Sequence, residues 1–253
     1  MEHDGVREGA HGWERLAPGV ARRRLPGWDA TVGAIAGGTG LMVVDTGSSL
    51  REGVEIRCEV TALFGREPVE TGSHAVTHIA LTHPHFDHIL GTAAFSGVQV
   101  YGAVGLDDML ARERDEVRWD AVRHGVDAEE AAEAVDLLVR PQHTVSGEVA
   151  VDLGGGRRVL LANVGPGHTA YDLAVLVPGG DGPAVVFCGD LVEESGEPQA
   201  GPDALPHAWP AALDRLLSLG GEDALYVPGH GAVVDAEFVR RQRDALAERF
   251  GAS

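Results

Sequence analysis

The sequence predicts an α/β protein, in the broad sense that includes α+β: two sheets covered by helices in one compact unit. Three observations carry this. Runs rich in apolar and β-branched residues recur as hairpin pairs in both halves, helical stretches lie between them, and no Pro/Ser/Gly linker separates two independent domains. At 253 residues, 44% hydrophobic and 23% charged, the chain lies in the ordinary globular range and can bury a sizeable core. A single domain over residues 1–253 is expected.

The elements follow in order. Thr31 to Ala36 and Leu41 to Asp45 are β-rich runs around Gly37-Gly38-Thr39-Gly40, a hairpin signal, and the second run delivers Asp45 into the loop Thr46-Gly47. Ser49 to Phe64 reads as a helix, with Ser48 or Ser49 as N-cap and Gly65 as its stop. Val76 to Leu81 is a short apolar strand that ends in histidines, and Val98 to Tyr101 is another strand. Val104 to Val139 is the most charged and most helical stretch, divided in two by Gly125 and ended by Pro141. It reads either as a solvated excursion over the core or as a lid over a pocket. Glu148 to Leu153 and Arg157 to Ala162 flank Gly154-Gly155-Gly156 as a second hairpin. Strands at Leu173 to Val177 and Ala184 to Cys188 precede a helix at Trp209 to Leu219, a strand at Ala224 to Val227 and a closing helix from Ala236 to Arg249.

Composition excludes several classes. The 35 Gly and 13 Pro are scattered without period, so the chain is not collagen-like. No apolar run approaches the ~18 residues of a membrane span. Met1 to Leu16 carries Glu2, Asp4, Glu8 and Glu14 without an apolar stretch, so no secretory signal is expected. Two cysteines, Cys58 and Cys188, make no disulfide framework in a chain this long, and a cytoplasmic protein is expected. The formal net charge is −19, and there is no lysine at all. Such a field repels nucleic acid and anionic lipid, leaving a small molecule as the expected partner. Oligomeric state is not legible, although the apolar residues of the helical stretch are compatible with a dimer.

The segment Thr82-His83-Pro84-His85-Phe86-Asp87-His88 carries the chemistry. In extended chain, residues two apart point to one side, so His83 and His85 can converge on one ion. Asp87 and His88 fall at the turn into the next helix, read as His88 to Phe95, where they can be aimed at a second ion beside the first. An all-N/O donor set without thiolate suits a catalytic rather than a structural ion. His168 in Gly165-Pro166-Gly167-His168-Thr169, Asp190 in Cys188-Gly189-Asp190, and His230 in Pro228-Gly229-His230-Gly231 each stand at a strand end beside glycine, where rigid scaffolds build sites.

The ordered set H-x-H-x-D-H, Gly-His-Thr, Gly-Asp and Pro-Gly-His-Gly, preceded by Val44-Asp45-Thr46-Gly47, resembles the metallo-β-lactamase-fold hydrolase superfamily from about Thr31 to Val233. The resemblance implies a four-layer αββα sandwich with a dinuclear zinc site at one edge of its two mixed sheets. It implies that His83, His85 and His168 hold one ion, that Asp87, His88 and His230 hold the other, and that Asp190 bridges them. Asp45 would steady the ligand loop. The implied reaction is hydrolysis, in which a hydroxide shared by two zinc ions attacks an ester, thioester, lactone or amide carbonyl of a small metabolite. Asp87 would orient the nucleophile and relay its proton.

Departures narrow the resemblance. Leu191-Val192-Glu193-Glu194 follows Asp190 where glyoxalase II relatives are expected to carry a Gly-Cys-Gly-Arg-type stretch. Glu193 stands at or near the place of the tyrosine of acyl-homoserine-lactone lactonases. Without lysine, the chain cannot hold a substrate carboxylate as lysine-bearing β-lactamases do. The alternative is a mononuclear non-haem iron dioxygenase of persulfide type, similar in motif, with the ion held by two histidines and an aspartate. His74, His78, His124, His143 and His207 read as surface or capping residues, Cys188 as a buried hydrophobe, and Arg22 to Arg24 as a solvated strand edge. For His207, with Trp209, the alternative reading is the border of a substrate pocket, and Tyr171 either reaches the site or packs on the sheet.

Overall fold

A computed structural model describes residues 12–64 and 75–251. The runs read as strands sort into two sheets. The first follows chain order: β1 (Glu14–Ala17), β2 (Val20–Arg24), β3 (Thr31–Ala36), β4 (Leu41–Val44), β5 (His78–Ala80), β6 (Gln99–Ala103) and β7 (His143–Val145). Neighbours are antiparallel up to β4 and parallel from there on. The second contains β8 (Glu148–Asp152), β9 (Arg158–Asn163), β10 (Leu173–Val177), β11 (Val185–Glu193) and β12 (Leu225–His230), antiparallel except where β12 runs parallel to β11.

Side-chain alternation explains the layering. In β4 every residue is buried, but successive side chains face opposite ways: Met42 and Val44 enter the core between the sheets, while Leu41 and Val43 enter the core under the helices. Phe187 of β11 reaches across to Gly33 of β3, whose missing side chain makes the room, since a Cβ there would come within 2.5 Å of the ring. A helical layer covers each outer face: α1 (Leu50–Phe64), α2 (Phe86–Ile89), α3 (Leu106–Arg112), α4 (Arg114–Arg123) and α5 (Ala128–Leu137) on the first sheet, α6 (Trp209–Gly220) with α7 (Ala236–Phe250) on the second. The result is the expected αββα order, two mixed sheets flanked by helices. Among the described residues, no helix is long and apolar enough to cross a membrane.

Helix α1 starts as its sequence requires. Ser49 Oγ accepts from the Glu52 amide at 3.2 Å, and the Glu52 carboxylate takes the amide and hydroxyl of Ser48 at 2.8 Å, a reciprocal cap. Its expected stop, Gly65, lies outside the described residues, as does His74.

Several boundaries differ from the sequence reading, each for a local reason. The helix expected from His88 to Phe95 is instead the short α2, then a 3-10 turn at Thr92–Ala94. The chain turns at Gly91 because Gly91 packs on Gly53 of α1 and on the carbonyl of Thr46. The stretch expected as two helices is three: α3 (Leu106–Arg112), α4 (Arg114–Arg123) and α5 (Ala128–Leu137). Gly125 breaks it at φ +100°, and a second joint falls at Glu113, beside Arg114, whose guanidinium donates to the carbonyls of Val135 and Asp136 at the end of α5. The strand expected to end at Cys188 continues to Glu193, so Asp190 is inside β11 rather than beyond it, and His230 closes β12 rather than following it. Arg22 is no solvated edge: β2 has a neighbour on both sides, and Arg22 is buried, pairing with Glu14 at 2.6 Å and donating to the Gly231 carbonyl at 2.8 Å.

Gly91 supplies a test of this packing. A Cβ there would overlap the Thr46 carbonyl and lie 2.9 Å from Gly53 Cα, whereas one at Gly147 would meet nothing within 4 Å. Gly91→Ala is expected to lower stability by about 1–3 kcal/mol and Gly147→Ala by no more than about 0.5 kcal/mol, read as midpoints of urea unfolding.

Candidate metal centre

The ligand candidates arrive from both sheets. Strand β5 feeds His83 and His85 from its C-terminal loop, and the first turn of α2 carries Asp87 and His88. His168 comes from the β9–β10 loop, Asp190 from within β11 and His230 from the end of β12. An isolated bridge from Ala30 to His230 ties that end to the first sheet.

These seven side chains converge. His83, His85, His168 and Asp190 each offer one ligand atom within 4.8 Å of the others, as do Asp87, His88 and His230. Asp190 stands between the groups: its Oδ2 is 3.6 Å from His83 Nε2, 3.5 Å from His168 Nε2 and 3.3 Å from His230 Nε2, and its Oδ1 is 3.2 Å from His88 Nε2. Within the second group, Asp87 Oδ2 lies 3.5 Å from His88 Nε2 and 3.4 Å from His230 Nε2. Four tetrahedral nitrogens at the usual zinc distance stand roughly 3.3 Å apart, so the spacing suits a small divalent ion. Two buried polar atoms at the centre, His83 Nε2 and Asp190 Oδ1, have no hydrogen-bond partner among the described residues. Such atoms are costly unless something coordinates them.

The outer hydrogen bonds assign the inner nitrogens. His88 Nδ1 faces Asp45 Oδ2 at 2.9 Å, His83 Nδ1 faces Thr82 Oγ1 at 2.9 Å, His168 Nδ1 faces the Gln199 carbonyl at 3.2 Å, and His230 Nδ1 faces the Trp28 carbonyl at 2.8 Å. Each of these nitrogens is therefore the N–H donor, which turns Nε2 toward the centre. His85 is reversed: its Nε2 meets Asp203 Oδ2 at 3.0 Å, and its Nδ1 points at His168 Nε2 3.0 Å away. A contact that short needs a proton or a metal ion between the two nitrogens.

Asp45 does what the sequence reading gave it. Its Oδ1 takes the Thr82 amide at 2.8 Å and its Oδ2 the Thr82 hydroxyl at 2.7 Å, which fixes the loop that begins at Thr82 while orienting His88. It does so from a left-handed backbone, φ +58°, a strained conformation for a non-glycine. Gly229 makes the approach of β12 possible, since a Cβ there would overlap the Asp190 carboxylate.

Charge and burial pull the imidazoles apart. Burial takes His168 down to about 4 against the pull of Asp190, and takes His83 well below its ordinary value. For His230 burial opposes protonation, but Asp190 and Asp87 outweigh it and push the pKa up to about 9. His88 is raised in the same way, by Asp190, Asp87 and Asp45 against burial. Asp190 is held well below the carboxylate range, its burial outweighed by the charges of His88, His83 and His230. Protons on His88 and His230 thus stand where a cation is called for.

Two residues of the surroundings escaped the sequence reading. Asp203, which holds His85, sits in the Gly/Pro-rich loop before α6, and no spacing pointed to it. Asp172 accepts the amide of Thr169 at 3.0 Å and its hydroxyl at 2.7 Å, fixing the turn that presents His168. The signal was the T-x-x-D spacing, and burial pushes the Asp172 carboxyl up to about 7. Of the side residues, Trp209 is buried with its ring 5.4 Å from His168, while His207 is exposed. Tyr171 packs toward Gly105. His124, which caps the end of α4, stacks on Phe86, and His143 on Tyr101. Cys188 is buried, as expected.

Two outcomes follow. Asp203→Ala should weaken binding of a divalent metal ~10–100-fold in competition with a chelator, leaving the urea midpoint unchanged because this side chain is 47% exposed. Metal must also displace the proton that His230 keeps from its ordinary 6.5 up to about 9. Apparent affinity should therefore rise with pH across that window, about tenfold per unit for each proton displaced. The metal-free chain should lose stability over the same window, because a raised pKa contributes stability below 6.5 that is gone above about 9; thermal unfolding at fixed pH values reads it.

The comparisons with known proteins agree with this architecture. A family model described as the metallo-beta-lactamase superfamily matches residues 25–230. Metallo-beta-lactamase domain-containing protein 1 of Xenopus laevis is 28% identical over 156 residues, 62% of this chain and 54% of that protein. The chain thus spans about half the length of the curated relative it matches. A metallo-beta-lactamase from Pontibacter korlensis superposes with a TM-score of 0.67 at 20% identity, covering 92% of this chain and 97% of that one. FIM-1, a metallo-beta-lactamase from Pseudomonas aeruginosa solved in a mono-zinc form, does so with 0.66 at 19% identity, covering 95% and 96%. With the family model running from the end of β2 to the last ligand candidate, the chain belongs to the metallo-beta-lactamase superfamily.

Proposed function

We infer that the protein is a dinuclear-zinc hydrolase that opens an ester, thioester, lactone or amide carbonyl of a small metabolite. The observation that carries this reading is the position of Asp190, one carboxylate facing two sets of imidazoles, with the outer nitrogen of every imidazole engaged. His83, His85 and His168 would hold one ion, Asp87, His88 and His230 the other, and Asp190 both. Bound there, zinc supplies Lewis acidity toward a carbonyl oxygen and lowers the pKa of water from 15.7 to about 7 at best.

The chain's own part is positioning and proton transfer. The outer hydrogen bonds hold each ring with one nitrogen aimed at the centre, so orientation needs no reorganisation, which is where preorganised sites gain their advantage. Asp87, buried at the first turn of α2, stands 3.5 Å from His88 and 3.4 Å from His230. Its carboxylate orients the attacking water, accepts its proton and returns that proton to the leaving group. Trp209 beside His168 excludes water from one wall. A cytoplasmic setting belongs to the same reading and is supported by Cys58, exposed and unpaired, as reducing compartments allow.

Elemental analysis of protein purified without added metal tests the proposal, together with an ester, lactone and thioester panel. Two zinc per chain are expected, with a sharp fall in Asp190→Ala. Asp87→Asn should lower kcat about 10²–10⁴-fold with a smaller change in KM. One iron per chain with oxygen consumption would replace this reading by the persulfide-type dioxygenase, and no retained metal would overturn both.

A further inference from the structure

Glu193 is a buried carboxylate for which the ligand sets above have no role. It closes β11 in register with His230 of β12. Its amide donates to Gln242 Oε1 at 3.0 Å, and Gln242 Nε2 donates to the Leu191 carbonyl at 2.7 Å, so α7 locks this end of the strand. One carboxylate oxygen, Oε1, accepts the Ser195 hydroxyl at 2.6 Å and its amide at 3.2 Å. The carboxylate still brings a ligand atom within 4.8 Å of those of both Asp190 and His230. Two buried carboxylates this close repel each other, and burying either is costly without a compensating cation. Asp190, the neighbouring carboxylate, also keeps one buried oxygen, Oδ1, without a hydrogen-bond partner among the described residues, an atom that calls for a ligand.

We propose that Glu193 is a further ligand of the second ion, completing with Asp87, His88, Asp190 and His230 a subsite of three carboxylates and two imidazoles. A tetrahedral ion needs four donors, and Asp87, His88, His230 and the shared Asp190 already supply them. A fifth, anionic and oxygen-bearing, raises the coordination number and moves the subsite toward harder divalent ions such as Mn²⁺. The other subsite keeps three imidazoles and one carboxylate. The two positions are therefore unequal in chemistry, and the second is the one open to exchange. This rests on the two-ion reading above.

The test is titration of the metal-free full chain with Zn²⁺, and separately with Mn²⁺, against a chromophoric chelator. Wild type should take up two equivalents of Zn²⁺. Glu193→Gln, which keeps an oxygen for Ser195 but loses the charge, should bind the first equivalent unchanged and the second at least tenfold more weakly, and should lose Mn²⁺ at that position. Ser195→Ala, which removes the hydroxyl contact but keeps the carboxylate, should retain the second equivalent within a few-fold. Equal affinity of Glu193→Gln and wild type for both equivalents would overturn the assignment alone. Equal weakening by Ser195→Ala would also overturn it, moving the effect to the turn. A single equivalent in wild type would overturn the two-ion reading and this ligand with it.

Discussion

One buried carboxylate sets the terms for the rest of the molecule. Asp190 sits inside β11 among four imidazole nitrogens, its side chain only 10% exposed. An anion so placed is tolerable only when positive charge is held against it from several sides. Much of the local backbone serves that requirement. Gly189 adopts φ +54° just before it, where the register of β11 on β12 shifts, and Gly229 lets the neighbouring strand pass against its carboxylate. The shift turns the end of a two-sided buried strand into a site while leaving Phe187, three residues earlier, in the core between the sheets.

The five imidazoles around that carboxylate are not held equally. His83 and His88 are fully buried and fastened by Asp45 and Thr82 at the end of the first sheet, so they share the rigidity of its core. His85, by contrast, is 26% exposed and depends on Asp203, and His168 on the carbonyl of Gln199. Both partners belong to the loop between β11 and α6, which carries few buried residues. One half of the centre is therefore preorganised by strands, and the other is as firm as a surface loop makes it. Loop residues of that kind would couple the shape of a pocket to the hold of the centre on a metal.

The sequence made the chemistry more legible than the geometry around it. Residues that must offer lone pairs are few, and histidines at alternate positions after a strand leave little choice, so His83, His85, Asp87 and His88 could be picked out with their directions. Asp45 was visible because it ends a strand. Asp203 was not, because a carboxylate in a Gly/Pro-rich loop reads as ordinary solvation until the fold brings His85 to it. Arg22 was misjudged for a related reason: three arginines in a row suggest solvent, whereas the strand takes one inward to meet Glu14 and leaves its neighbours to Glu59 and Asp29. Helix lengths failed where tertiary contacts decide them, at Gly91 against Thr46 and at Glu113 beside the Arg114 tie to α5. Periodicity carries no record of such contacts.

The arginine pairings bear on the chemistry as well. A reaction at a carbonyl develops negative charge, and a protein can meet it with a fixed cation or with a metal. This chain has no lysine. The arginines of β2, the strand beside Trp28 and His230, are each matched to a carboxylate, and Arg22 also donates to the carbonyl of Gly231. Around the centre itself stand Asp87, Asp190, Glu193 and Asp203, within a molecule of net charge −19. Such a field concentrates cations and repels anions. On the proposed reading, the electrophilic part of the reaction falls to the ions these residues would hold, and a substrate bearing its own carboxylate would meet repulsion at the rim before it reached them.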